Sequence, residues 1–506
     1  MTPDLVIGVD CSTTAAKAVA WTASGRAVAE GRSAFPLSTP QPGWGEQDPT
    51  DWWRAVVKAI GDVSQKIDVK RVAGLAVTHQ RETFVCLDAN GDAIRPAMLW
   101  LDTRAGAEIE AFGSDKIHET TGKPPNTATS WYKLLWLKRH EPQTLARTRW
   151  VVDVHGYIVH RLTGQWRTSY GSVDPMGLLD MSRLALDDGL LKEAGLSAGQ
   201  IPAIYAPGEK LGELPGDIAA MLGLTTGLPV FAGTGDGQAA GLGANITSPG
   251  VAALNLGTGI VSGMFNNTYR WCKEFRTMTG GVPGTYMPET FIGGGTYNVS
   301  WFVQQFANIP ERPFGLELTA ERILELAAGT IPAGAEGLLA LPYLSGALSP
   351  YWDRNARGAF VGLSPQHGKA HVYRAILEGL AMEQRLSTTG AEQVLGAPVE
   401  RIRLMGGGSR SALWCQILAD ILKRPVDVSR EIETTCLGAG MLAASGVGLH
   451  SGVAEAAAAM SGVAQMYQPD PPISATYDKL FEVYRRLYPC LRETFARLHE
   501  AAGPQF

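Results

Sequence analysis

The hydrophobic pattern along the chain begins with two short β-branched runs, residues 5–10 and 15–21. Four small or polar residues, 11–14, separate them. Period-two alternation on either side of such a turn predicts a hairpin. Residues 51–67 then show apolar positions at helical spacing, with Thr50 as the predicted N-cap. A buried strand over 72–78 runs into a polar cluster, His79-Gln80-Arg81-Glu82-Thr83. Strands over 84–87 and 96–100 flank a turn at 88–91. Helical spacing returns over 129–140, 152–164 and 218–222. Residues 228–235 are apolar and end in glycines, which predicts a buried strand with Asp236 at its tip.

The pattern then starts again. Residues 251–256 and 260–265 form a second predicted hairpin around Gly257-Thr258-Gly259. A glycine-rich stretch, 291–296, opens a helix around Trp301. Residues 342–346 and 353–358 read as loops. A long helix is predicted over 371–390, then a strand over 401–405, Gly406-Gly407-Gly408 and a helix over 412–422. Another helix starts near Glu433, where Gly438 and Gly440 suit close packing. Residues 454–460 and 477–501 complete the helices, the last amphipathic and suited to covering a lobe. Two hairpins of the same build predict two similar lobes with their first hairpins facing across a cleft. The expected division is 1–248 and 249–506.

Length agrees with this, since 506 residues exceed one core and domains run about 100–200 residues. A net charge of −5 argues against nucleic acid as the main partner. No apolar run approaches the roughly 20 residues of a membrane helix. Six cysteines lie scattered without a CxxC pair, which fits reduced thiols. With no cationic leader before the first strand, the expected location is cytoplasmic.

The polar residues fall where strands end. Asp10 closes the first strand and could hold magnesium through water. Thr13, Thr14 and Lys17 surround a turn whose N–H groups can face phosphate oxygens. Gly257 and Thr258 form the matching turn in the second half. Gln80, Arg81, Glu82, Trp100 and Asp102 offer carboxylates, a guanidinium and an indole, which suit a small polyol. The 406–411 stretch lets a nucleoside lie against the backbone. Taken singly, each has a structural alternative: a surface hairpin, a salt-bridge cluster, a tight glycine turn, and for Asp236 a helix cap. His155 reads as a hydrogen-bonded structural residue.

Together these residues carry a resemblance to the FGGY family of carbohydrate kinases, within the actin-like ATPase superfamily. It covers nearly the whole chain. Gly358-Ala-Phe360-Val-Gly362-Leu363, His371-Val372 and residues 375–378 resemble the family's C-terminal signature. Ser130-Trp-Tyr-Lys133-Leu-Leu-Trp136-Leu resembles the N-terminal one, with Ala128 departing at its first position. Residues 405–414 and 416–420 are similar to the adenosine loop. Residues 10–17 resemble the first phosphate loop, with Ser12 where Gly is usual.

The resemblance implies an α/β fold of two RNase-H-like lobes with ATP and a sugar in the cleft. It implies Asp236 as catalytic base, with Asp10 and Asp236 near Mg2+. Thr13, Thr14, Lys17, Gly257 and Thr258 are implied near the phosphates. Gly407, Gly408 and Ser411 are implied near the nucleoside, and Gly295 also belongs to the nucleotide set. Gln80, Arg81, Glu82, Trp100, Asp102 and Asp236 form the acceptor set. Gln80-Arg81-Glu82-Thr83 looks like the glycerol kinase loop, whereas residues 342–442 resemble the xylulokinase branch. Ala128 and Gly237 stand where glycerol kinases carry a tyrosine and a glutamine, which predicts an enlarged pocket. The expected acceptor is a four- to six-carbon sugar or polyol, first a pentulose such as D-xylulose, with an erythritol- or glycerol-type polyol as the alternative. A homodimer is expected by family analogy. Two further classes share the lobes: an actin-like ATPase coupled to protein binding, and a silent sugar sensor.

Overall fold

The computed structural model describes residues 3–307, 309 and 318–502. The first sheet is built from β1 (Leu5–Cys11), β2 (Ala15–Thr22), β3 (Ala27–Ala34), β4 (Val72–His79), β5 (Lys210–Glu213) and β6 (Pro229–Phe231). Its order is β5-β6-β4-β1-β2-β3. The β1–β2 and β2–β3 pairs are antiparallel, while β4 runs parallel to β1 and β6 parallel to β4.

Helix α1 (Pro49–Ser64) buries Trp52, Val56, Ile60 and Val63 in the core beside this sheet. Each fully buried apolar side chain of this size contributes about 1.5–3 kcal/mol. Its cap is Asp48, whose side chain accepts the Thr50 N–H, so the helix starts one residue before the predicted Thr50 cap. Pro49 suits this place, because a first-turn N–H has no partner to lose. The predicted helix over 152–164 is also shorter. Residues Trp150–Asp153 form a strand, and α2 (Val154–Thr163) begins after Asp153, which caps it through the Gly156 N–H. That strand belongs to a small antiparallel sheet with Glu46–Gln47, Phe84–Leu87 and Ala97–Met98.

The predicted strand over 228–235 is confined to β6, and Asp236 opens a helix, α3 (Asp236–Gly243). The second sheet follows, from β7 (Val251–Leu256), β8 (Ile260–Met264), β9 (Arg276–Thr279) and β10 (Tyr286–Ile292). Helices α4 (Thr296–Phe302) and α5 (Lys369–Leu395) come next, then β11 (Arg401–Met405), α6 (Ala412–Leu422) and β12 (Val426–Ser429). Helix α7 (Thr434–Gly446), β13 (Val463–Tyr467) and α8 (Pro471–Ala502) follow toward the C-terminus. The sheet order is β9-β10-β8-β7-β11-β12-β13.

The two sheets repeat one another. In the second, β7 pairs antiparallel with β8 and β8 with β10, while β11 is parallel to β7 and β12 to β11. An antiparallel edge strand, β13, closes the series as β5 does in the first. Hence β7 corresponds to β1, β11 to β4, and α7, which follows β12, to α3, which follows β6. These two helices meet backbone to backbone. A Cβ at Gly438 would lie 1.9 Å from the Ala239 carbonyl oxygen, and one at Gly243 2.1 Å from that of Thr434. Of the two glycines expected to permit close packing, Gly438 does so here, and Gly440 lies against the Trp21 ring of β2, 2.6 Å from its would-be Cβ. Helix α7 also lies against β1, where a Cβ at Gly8 would meet the Cys436 carbonyl at 2.0 Å.

Candidate active site

The ends of β1 and β7 meet the start of α3 around a cavity of about 170 Å³. Asp10, Arg81, Asp236, Asn255 and Glu289 supply its polar walls, with Gly237, Met287, Met405 and Thr435 among the rest. Asp10 pairs in register with Lys17 on β2 and with Thr78 on β4. Asn255 occupies the matching place on β7, opposite Val261 and Met405. Its position, one residue before a strand end and two before a Gly-Thr turn, was readable from the repeat but not picked out.

Asp236 is the first residue of α3, not its cap. The N-cap is Gly235, and no side chain caps this helix. The capping alternative for Asp236 therefore falls away. Its Oδ1 accepts the Gly237 N–H at 2.8 Å and lies 3.0 Å from Arg81 Nε. Burial raises its pKa, Arg81 works against that, and Glu82 adds to it. Burial likewise pushes Asp10 well up, reinforced by the charges of Asp236 and Glu433. Asp10 Oδ1 is buried with no hydrogen-bond partner among the described residues. A buried carboxylate oxygen left open beside a second carboxylate fits a hard cation. No group of three acidic, His or Cys side chains gathers as a metal cage among the described residues. That donor set suits magnesium arriving with phosphates, since this ion is commonly held by one or two carboxylates.

Arg81 lies flat over the turn before α3. A Cβ at Gly235 would come 2.5 Å from Arg81 Cγ, and one at Gly237 2.8 Å from Arg81 Cζ and from Glu289 Oε1. The space opposite Gly237 is filled by the Arg81–Glu289 ion pair. Arg81 Nη1 donates to Glu289 at 2.8 and 3.0 Å. Burial opposes the Arg81 charge, but Glu289, Asp236 and Glu82 outweigh it and hold the guanidinium above its ordinary pKa. Glu82 has a left-handed φ of 55° and is bonded through Oε1 to Arg276 Nη1 at 2.8 Å. Its carbonyl accepts from Lys133 Nζ at 3.1 Å, as do those of Leu99 (2.9 Å) and Ala128 (2.5 Å).

Two members of the acceptor set are engaged elsewhere. Asp102 is fully buried, accepts the Gly45 N–H at 2.8 Å and takes both Nε and Nη2 of Arg104. Its carboxylate holds a loop and does not line the cavity, because a buried acid takes the nearest guanidinium. Gln80 donates to Gln47 Oε1 at 3.0 Å, and Gln47 donates to the Thr13 carbonyl at 2.6 Å. Gln80 thus braces the first phosphate turn. Trp100 Nε1 also donates to Thr13, at Oγ1 (2.9 Å), and the residue stays 39% exposed. Thr14 is exposed at the tip of that turn, as Thr258 is in the second. Lys17 is paired with Glu30 on the neighbouring strand β3 (3.0 Å) and with Glu433 of the other lobe (2.9 Å).

A larger cavity of about 740 Å³ contains Gly407, Gly408, Ser411, Thr296 and Arg322 in its walls. The second Thr turn lies between the two cavities. Thr296 donates through N and Oγ1 to the Gly257 carbonyl, and Gly295 N donates to that of Thr258 at 2.7 Å. Gly295 is needed for this approach, since its Cβ would sit 2.7 Å from the Gly257 oxygen. Met405 ends β11 in the small cavity, and Gly407 follows in the large one. Ser411 caps α6 through the Trp414 N–H and donates to Glu325. His155 is structural as expected, accepting from Gly233 N, and burial holds its pKa near 3.

A paired-lobe fold with Asp10 and Asn255 near the ends of matching strands, a second carboxylate opening α3, and a second cavity beside a Gly-Thr turn, defines the class. Family models agree. Residues 5–243 match the N-terminal domain, and residues 252–447 the C-terminal domain, of the FGGY family of carbohydrate kinases. The chain belongs to this family and is a phosphotransferase with an alcohol acceptor. It is 29% identical to a xylulose kinase of Bacillus subtilis (strain 168) over 493 residues, 96% of each chain. It is 28% identical to a glycerol kinase of Thermococcus onnurineus (strain NA1) over 507 residues, 97% of each. The solved gluconate kinase of Lactobacillus acidophilus superposes with a TM-score of 0.91 at 27% identity, covering 98% of this chain and 99% of that one. The fold is the paired actin-like lobes expected. Relatives with three different acceptors stand at nearly equal identity.

Proposed function

We propose that this kinase transfers the ATP γ-phosphoryl group to a primary hydroxyl of a neutral four- to six-carbon sugar or polyol, first a pentulose such as D-xylulose. The observation that carries this is the charge of the inner cavity: Asp10, Asp236 and Glu289 against Arg81. Glu289 is neutralised by Arg81 and Arg276, which leaves Asp10 and Asp236 to accept hydroxyl donors and to disfavour a carboxylate substrate. This favours a neutral acceptor over gluconate.

In this reading the acceptor lies in the small cavity and the nucleoside in the large one, beside Gly407, Gly408 and Ser411. The turns at Thr13-Thr14 and Gly257-Thr258 offer N–H and hydroxyl donors to the phosphates. Asp10 and Asp236 would hold the magnesium ion, which supplies charge neutralisation on the phosphates. Both Asp236 contacts fall on Oδ1, so Oδ2 is the oxygen assigned to take the hydroxyl proton. Arg81 fixes that carboxylate, and Gln80 and Trp100 brace the first turn. Transfer of this kind depends on positioning and charge. The six cysteines are free and four are buried, which supports a reducing, cytoplasmic setting. The expected assembly is a homodimer, for which sedimentation would give twice 54.1 kDa.

The test is ADP release with ATP and magnesium over D-xylulose, D- and L-ribulose, erythritol, other pentitols, L-fuculose, gluconate and glycerol. Strong acceleration by one pentulose or tetritol is the expected result. Gluconate or glycerol as best acceptor would overturn the substrate class. ADP release that no acceptor changes would return weight to an ATPase without sugar transfer.

A further inference from the structure

We infer that Arg276 and Glu289, on β9 and β10 of the second lobe, are positioning residues that hold Arg81 and Glu82 of the first lobe in their working geometry; this rests on the acceptor site proposed above. Glu289 is fully buried and takes a guanidinium on each side. Arg81 Nη1 reaches it from the first lobe, and Arg276 Nε from its own lobe at 3.0 Å. Arg276 then spends Nη1 on Glu82 Oε1 at 2.8 Å. The four side chains alternate in sign and close a bridge between lobes. The sequence separations, 208 for Arg81–Glu289 and 194 for Arg276–Glu82, show that nothing local sets them.

Three observations give the bridge a role beyond holding the lobes. Arg81 divides its guanidinium between Glu289 and Asp236, so moving Glu289 moves the group that fixes the proposed base. Glu82 sits at φ 55°, which a non-glycine residue keeps only where its surroundings impose it. Arg276 at its carboxylate and Lys133 at its carbonyl are those surroundings. Finally, Gly235 and Gly237 leave room for Arg81 and Glu289 where a Cβ would collide with them. The acceptor turn of one lobe is therefore completed by the other. A displacement of about 1 Å at such a site costs on the order of 10²-fold in rate.

The test is a double-mutant cycle on kcat/KM with Arg81→Gln and Glu289→Gln, using the panel sugar of highest kcat/KM. Glu289→Gln should lower acceptor kcat/KM about 10-fold or more and leave the KM for ATP within about 2-fold. The double variant should lose less than the product of the two single losses, because Glu289 acts largely through Arg81 and only in part through Arg276. Acceptor binding without ATP, measured by calorimetry, should weaken in Glu289→Gln. Multiplicative losses in the double variant, or equal losses toward ATP and acceptor, would overturn the inference. If Glu289→Gln does not fold, the cycle of Arg276→Lys with Glu82→Gln asks the same question on the other arm, since lysine keeps the charge but not the two-pronged fork. A wild-type protein that turns over no acceptor would sink the proposed function itself. Wild-type turnover with multiplicative losses would sink only this inference.

Discussion

An alanine at 237 would place its Cβ 2.8 Å from both the Arg81 guanidinium carbon and Glu289 Oε1, so the smallest side-chain addition reaches the acceptor turn. Gly237→Ala is predicted to cut acceptor kcat/KM by about 10-fold or more while ATP binding stays intact, read from separate KM values for the two substrates. Lys133 gives a second test. Burial brings its ammonium down to about 7, against the pull of Glu82 and Asp102. The unfolded lysine keeps its proton to about 10.4, so between these values the unfolded chain binds more protons and folded stability rises with pH. Lys133→Met loses three carbonyl contacts, costing roughly 2 kcal/mol, and also that gain. Its deficit in urea unfolding should widen from pH 7 to pH 9. An unchanged deficit would mean that Lys133 stays charged when folded. At this scale the sequence marked Asp10, Arg81, Glu82 and Asp236 because each ends a strand or follows one. It could not show that Asp102 turns to Arg104, since a buried acid's partner depends on packing.

Helix α8 shows what an element contributes beyond its apolar stripe. Tyr477 donates to Glu378 at 2.7 Å and Tyr484 to Glu383 at 2.7 Å, both acids lying on α5. Tyr488 donates to Asp353 at 2.8 Å. The spacings of seven and four put these hydroxyls on one helix face. Burial raises the Glu383 carboxyl to about 7, opposed by the hydroxyls of Tyr484 and Tyr343. Tyr484→Phe should cost about 1.5 kcal/mol in denaturant unfolding and leave acceptor KM unchanged. The amphipathic pattern over 477–501 showed that the helix covers the lobe, but not that buried acids receive it. Glu378 belongs to the stretch that resembles the family's C-terminal signature, and its structural use here is to take Arg374 and Tyr477. The strands and helices read from periodicity are present, whereas β3, β9, β10, β12 and β13 were not read. The ends were less legible: a proline at 49 and an aspartate at 153 moved two helix starts, because capping is decided by one side chain.

Across the whole molecule, the repeat of two sheets puts Asp10 opposite Asn255 and Asp236 at the start of one of two mutually packed helices. The double start in the hydrophobic pattern was enough to expect paired lobes. The cross-lobe bridge from Arg81 and Glu82 to Arg276 and Glu289 was not legible, because its members lie about 200 positions apart and only Arg81 and Glu82, in the polar cluster after a strand, stand out in the sequence. The central claim is that the small cavity is the acceptor site and Asp236 the base within it. The most direct measurement is single-turnover transfer of labelled γ-phosphate from ATP to the best acceptor, comparing wild type with Asp236→Asn at matched ATP occupancy. The account predicts that the variant binds ATP as the wild type does and transfers about 10²–10⁴-fold more slowly. Transfer at the wild-type rate in Asp236→Asn would contradict it.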